Sequence, residues 1–138
     1  MKKKKDVYLK SHVLLIGIGF VLIGTLSAYY IYRESPSNII LAAIPFVFGI
    51  FAILSWRNKW VSMINNHEFV YSNTLGIKRT YRFSDITKVE RHINAGGIFY
   101  SYINIHVDKE MIHIEGNAIV SKKFSDKINA ISGQKLLF

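Results

Sequence analysis

Two long apolar runs dominate what this chain of 138 residues can become. Residues 13–32 and 39–56 are twenty and eighteen long, and neither run holds a formal charge. A bilayer's hydrocarbon core is roughly 30 Å thick and takes about 20 helical residues to cross. Both runs are therefore predicted to be membrane-spanning helices, joined as a hairpin by the polar link 33–38. A cleaved signal peptide has a shorter apolar core and no second span directly behind it, so the first run is expected to be retained.

The flanks predict an orientation. Lys2, Lys3, Lys4, Lys5 and Lys10 precede the first run, and Arg57 and Lys59 follow the second. The link carries one Arg33 against one Glu34. Excess Lys and Arg marks the cytoplasmic side. The expected location is the cell membrane, multi-pass, with both termini cytoplasmic. Tyr29, Tyr30 and Tyr32 fall near the outer end of the first span, and Trp56, Arg57, Lys59 and Trp60 near the inner end of the second. Those are the depths that favour amphipathic rings and basic side chains. Ser35 and Pro36 suit the start of the second helix.

Within the spans, Gly17, Gly24 and Ala28 share one helical face, and Ala42 and Gly49 repeat the seven-residue spacing. Small residues allow close helix approach in lipid. They serve either the hairpin itself or a partner membrane protein. Pro45 interrupts the second helix and removes a backbone hydrogen bond to Leu41. Neither run contains Asp, Glu, Lys, Arg or His, which argues against an ion or proton pathway built by this chain alone.

Beyond Trp56 the pattern changes. Trp60, Met63 and Ile64 have helical spacing, so the second helix is expected to run on through them. Alternation then sets in. Strands are predicted over 68–73, 77–83, 86–93, 98–107 and 111–115, with a glycine turn at 74–76 and a hairpin signal at Ala95-Gly96-Gly97. Val120, Phe124, Ile128 and Ile131 form a helical stripe, and Gly133 is placed to stop it. A small sheet must cover its apolar face, and this helix is the available cover. The expected fold is α+β: a two-helix transmembrane hairpin, then a small antiparallel β domain capped by a C-terminal helix. The domain boundaries are a basic cytoplasmic tail (1–12), the hairpin (13–56), a juxtamembrane linker (57–66) and a cytoplasmic domain (67–138).

The segment Gly76-Ile77-Lys78-Arg79-Thr80-Tyr81-Arg82-Phe83-Ser84-Asp85-Ile86-Thr87-Lys88-Val89 carries a resemblance. A glycine turn, a basic strand and an aromatic-polar-Asp-Ile-x-x-Val corner, followed by the same strand and helix order, resemble the bacterial pleckstrin-homology-like domains over about residues 67–133. Two spans before such a domain is a common layout in that group. The resemblance implies a strongly bent antiparallel sheet closed by the terminal helix. It implies seven strands against the five read here, with room for others at 66–72 and 117–121. It also implies a role in membrane stress response or in self-protection against membrane-active bacteriocins.

Chemistry is sparse. There are no cysteines, so disulfides, thiolate metal sites and cysteine nucleophiles are excluded. No nucleophile elbow and no phosphate loop occur. An enzyme is not expected, and no cofactor is implied. If the turn after residue 107 centres on Lys109-Glu110, His106 faces His113, and two imidazoles about 5 Å apart at Cβ invite a zinc reading. Glu115 or Asn104 would be the third ligand; the alternative is a pair of solvent-facing polar residues.

The net charge of +9 includes Lys78, Arg79, Arg82, Lys88 and Arg91, the strongest candidates for binding lipid or another ligand. A domain at the negative inner leaflet gains about 1 kcal/mol per nearby basic residue. Lys78 and Arg82 share one strand face and Arg79 the other, so one headgroup cannot meet all of them; the set otherwise serves to guard a sheet edge. Nucleic acid is not an expected partner. The bilayer is, with anionic lipid, a second copy or another membrane protein as candidates. The leading function is a non-enzymatic membrane protein displaying a binding domain at the inner leaflet; the alternative is an accessory or regulatory subunit of a transporter or export complex.

Overall fold

Apolar helices without a protein partner on most of their surface set the outline. The computed structural model describes residues 5–34, 39–93 and 101–133. After strand β1 (Val7–Leu9) come helix α1 (Ser11–Glu34) and helix α2 (Ile40–Asn58), both long and apolar enough to cross a membrane. They pack against each other, yet Leu15, Leu22, Leu26, Phe48 and Phe51 remain exposed. Gly17 and Gly24 on α1 and Ala42 and Gly49 on α2 are buried. A Cβ on Gly49 would lie 2.7 Å from the Gly17 carbonyl oxygen and 2.7 Å from the Val21 nitrogen. A Cβ on Gly24 would lie 2.9 Å from the Phe46 nitrogen. The small residues thus hold the two helices of this hairpin together at backbone contact. The polar link at 35–38, with the Ser35-Pro36 start, lies outside the described residues.

The β domain follows: β2 (Trp60–Met63), β3 (Glu68–Ser72), β4 (Lys78–Arg82), a 3-10 turn at Phe83–Asp85, β5 (Ile86–His92), β6 (Tyr102–Val107), β7 (Glu110–Glu115), β8 (Ala118–Val120) and helix α3 (Lys122–Ser132). All pairings are antiparallel, in a sheet of order β4-β3-β2-β1-β8 and a sheet of order β5-β6-β7. The fold is α+β, with two long apolar helices ahead of antiparallel sheets and a C-terminal helix. The Ala95-Gly96-Gly97 turn lies outside the described residues.

Two strands come from stretches that read otherwise in the sequence, and a third, β8, falls within 117–121, where the resemblance left room for one. β1 lies in the basic tail and pairs with both β2 and β8. Three residues are too few to show alternation, and its partners are distant in sequence. β2 replaces the expected continuation of the second helix: Lys59 turns to extended backbone (φ −83°, ψ 111°), and Trp60–Met63 pairs with β1 and β3. Sheet pairing on both edges overrides the helical spacing of Trp60, Met63 and Ile64. β8 takes Val120 out of the helical stripe, and α3 begins after Ser121, whose hydroxyl accepts from the Phe124 N–H at 3.3 Å. Gly133 ends α3 in the left-handed conformation (φ 68°) that favours glycine.

The core lies between the sheets and under α3. Val7, Val61, Phe69, Phe83, Ile105, Ile112, Phe124 and Ile128 are buried in one cluster. Phe69 sits at its centre, 4.8 Å from the Phe83 ring and 6.1 Å from the Phe124 ring. Asp6, only 9% exposed, ties the sheet to the helix. Its carboxylate accepts from the Met63 N–H at 2.8 Å and from the Ser121 hydroxyl at 2.7 Å. Its carbonyl accepts from the Ser121 N–H at 2.6 Å.

Two substitutions check these contacts. Gly49→Ala forces a methyl into backbone and is expected to destabilise the helical hairpin by about 1–3 kcal/mol. Gly19→Ala, with nothing within 4 Å of the added Cβ, is expected to be neutral or stabilising by up to about 1 kcal/mol. Thermal unfolding of both variants in detergent micelles reads the contrast. Asp6→Ala leaves two half-buried donors without their carboxylate partner and is expected to cost about 1–3 kcal/mol by the same measurement.

Candidate functional site: the helix-proximal end of the β domain

Strand directions decide which loops share an end. β1 runs into α1 and β2 runs out of α2, so the helix ends emerge together at one end of the domain. The β3–β4 and β7–β8 turns lie at that same end. The β3–β4 turn touches α2: the Thr74 and Ser55 hydroxyls are 3.3 Å apart, and Asn58 Nδ2 donates to the Thr74 carbonyl at 3.0 Å. On the other side, Asn117 of the β7–β8 turn lies 3.3 Å from His12 Nε2 at the start of α1.

One cross-strand row runs over the outer face of the larger sheet next to the helix ends. Ile119 pairs with Tyr8, Tyr8 with Trp60, Trp60 with Ser72 and Ser72 with Lys78. The Lys78 ammonium sits over the Trp60 ring, 5.8 Å from its centroid. Sequence reading marked Trp60 and Lys78 separately. Their meeting needed a register that no local pattern reveals.

The other interface residues divide. Trp56 and Arg57 line a shallow groove with Lys5, Tyr8, Leu9 and Ser11. Lys5 Nζ donates to the Arg57 carbonyl at 3.5 Å. Lys59 turns inward instead; its side chain is 13% exposed and forms an ion pair with Glu115 of β7. That pair couples the end of α2 to the smaller sheet.

The basic set is dispersed. Arg79 pairs with Glu110, whose carboxylate also accepts from the Tyr81 hydroxyl. Arg82 lies 3.8 Å from Glu68. Lys88 pairs with Glu90. Arg91 is exposed on β5, opposite Ile103. Lys78 alone of the five lies beside the helix ends through its tryptophan contact; Arg82 lies at the far end of β4, and Lys88 and Arg91 belong to the other sheet. Exposed pairs of this kind contribute little stability.

The outer face of the smaller sheet holds the histidines. The turn there is Asp108-Lys109, one residue earlier than the sequence reading placed it, with Asp108 at φ 51°. Asp tolerates that left-handed conformation better than most residues. The shift overturns the facing histidine pair: His106 lies opposite Met111, and His113 opposite Asn104. His106 Nε2 is 2.8 Å from Glu90 Oε2, and His113 Nδ1 donates to Asn104 Oδ1 at 2.9 Å. Among the described residues no group of three or more His, Asp or Glu gathers where it could hold a metal ion. Tyr102 instead stacks on His92 at 4.8 Å and contacts His113 at 4.6 Å between ring centroids.

These contacts move protonation equilibria. Lys88, hydrogen-bonded to it, holds the Glu90 carboxyl below its ordinary value, and His106 adds to the effect. Partial burial pushes the His113 imidazole below its ordinary value, and Lys59 and His92 push the same way against Glu115. Burial raises the Tyr71 phenol, with Glu115 adding.

A model of a family of unknown function, DUF6560, matches residues 3–132, and the chain belongs to that family. No curated protein and no solved structure matches it.

The His113 shift has a sign that can be measured. The folded state holds this imidazole neutral more strongly than the unfolded chain, which titrates near 6.5. The stability it contributes is present above that value and is lost as the pH falls toward the depressed folded value. The melting temperature in micelles is therefore expected to drop between about pH 7 and about pH 5. The drop is expected to be smaller in His113→Asn.

Proposed function

We propose that this member of the DUF6560 family is a non-enzymatic, two-span protein of the bacterial cell membrane. It holds a pleckstrin-homology-like binding domain flush against the cytoplasmic leaflet. One observation carries the reading. β1, before the helical hairpin, and β2, after it, are neighbours in one sheet. Such a hairpin cannot swing away from its domain on a flexible tether. If the helices cross a bilayer, both ends of the hairpin lie on the same side, and the basic residues Lys10 and Arg57 beside them make that side the cytoplasm.

The strand layout supports the pleckstrin-homology-like part. A sheet of β1 to β4 with β8, a second sheet of β5 to β7 and a closing C-terminal helix surround one core, with five and three antiparallel strands against the seven that the resemblance implies. The role inferred from the resemblance is membrane stress response or self-protection against membrane-active bacteriocins. An accessory subunit of a transporter or export complex is the second reading. It is less favoured, because Gly17, Gly24 and Gly49 are used inside the hairpin.

The test is topological and exploits the absence of cysteine. Tags at Lys2 and Phe138 are expected to be protected from external protease in intact cells. Asn38→Cys is expected to react with a membrane-impermeant maleimide from outside. Exposure of either tag, or recovery of the chain in the soluble fraction without detergent, would contradict the reading.

A further inference from the structure

Ile64, Ile93 and Met111 are exposed at separate places on the β domain, whereas two further exposed apolar side chains sit together. Leu75 is 73% exposed and Ile77 53% exposed, and both belong to the β3–β4 turn. That turn is built as a rigid tip. Asn73 Oδ1 accepts from the Leu75 and Ile77 N–H groups at 3.0 Å each, and its carbonyl accepts from Gly76 N–H at 2.9 Å. Gly76 takes the positive φ of 82° that the reversal requires. A tight turn of this kind has no folding need for two exposed aliphatic residues, and polar residues are the usual choice.

The position of the tip identifies what covers it. Thr74 is bonded to Ser55 and Asn58 of α2. Ser55 belongs to the apolar run, one residue before Trp56 and three before the helix ends at Asn58. Three residues of helix rise about 4.5 Å. The tip therefore stands at the depth of the last turn of α2, where interfacial tryptophans sit. Lys78 follows directly, its ammonium over Trp60. Two aliphatic residues at the tip and a cation at its base match the acyl–headgroup boundary of an anionic leaflet.

We propose that the Leu75-Gly76-Ile77 turn inserts into the interface of the leaflet beside α2, as a third membrane contact that fixes the tilt of the β domain. The proposal rests on the reading of α1 and α2 as spans. Its occupant is lipid: the boundary between acyl chains and headgroups, with Lys78 and Trp60 at its rim. The consequence is a domain held at two points across its base, the helix ends and the turn, so that the same surface always faces the cytoplasm.

Single cysteines test it in the full-length chain, reconstituted in vesicles of phosphatidylethanolamine and phosphatidylglycerol. A nitroxide is attached at Leu75→Cys, at Leu22→Cys in the middle of α1, or at Met111→Cys on β7, and its access to oxygen and to a water-soluble nickel chelate is read. All three positions are exposed, so the label does not disturb the core. The expected result is loss of nickel access at 75 relative to 111, with position 22 oxygen-rich and nickel-free. Nickel access at 75 equal to that at 111, with position 22 still shielded, would overturn the inserted turn while leaving the spans intact. Nickel access at all three positions would overturn the spans and the inserted turn with them.

Discussion

The pairing of β1 on both of its edges is the constraint on which the rest of the molecule depends. Three residues, Val7, Tyr8 and Leu9, lie between β2 and β8. The first partner comes after the helical hairpin and the second comes after the whole remaining β domain. Asp6 reinforces the join, since its carboxylate bonds both the Met63 N–H of β2 and the Ser121 hydroxyl that caps α3. Chain closure over such distances costs entropy. Burial of Val7 and Leu9 and the filling of both hydrogen-bonding edges offset it. The hairpin is thus an insertion within a β domain, as the connection between two adjacent antiparallel strands.

That arrangement couples packing in the helices to order in the sheet. Backbone contact at Gly17, Gly24 and Gly49 keeps α1 and α2 side by side. Their ends consequently arrive close enough for Leu9 and Trp60 to enter neighbouring strands. Below them, the Lys59–Glu115 pair reaches the smaller sheet, and Thr74 reaches α2 from the β3–β4 turn. Each contact is modest, but together they leave the domain no free hinge at its base among the described residues.

Sequence pattern revealed the parts whose signal is local. The two long apolar helices stand out by length and lack of charge, and β3 to β7 by alternation or by the turn residues around them. α3 is legible from Phe124, Ile128 and Gly133. What escaped were the features set by distant partners. β1 is too short to alternate, and its three residues sit behind a lysine run that reads as a tail. Trp60, Met63 and Ile64 keep helical spacing although β1 and β3 draw Trp60–Met63 into a strand. A one-residue difference in the β6–β7 turn changed the partner of His113 from His106 to Asn104, because facing residues are set entirely by register. The basic residues of β4 and β5 looked like one cluster, whereas the fold divides them between two sheets and gives Arg79, Arg82 and Lys88 carboxylate partners.

A domain joined to its apolar helices through paired strands differs in kind from one hung on a linker. Its sheet keeps one orientation relative to the helices, and force or distortion in the helices passes directly into it. The decisive observation is whether β1 is a strand when the protein is held in lipid. Hydrogen–deuterium exchange of the full-length chain in lipid nanodiscs reads this without altering a residue. The backbone amides of Val7, Tyr8 and Leu9 are expected to exchange as slowly as those of β2 and β6. Exchange of residues 5–10 at the rate of an unstructured tail, with β6 still protected, would contradict it.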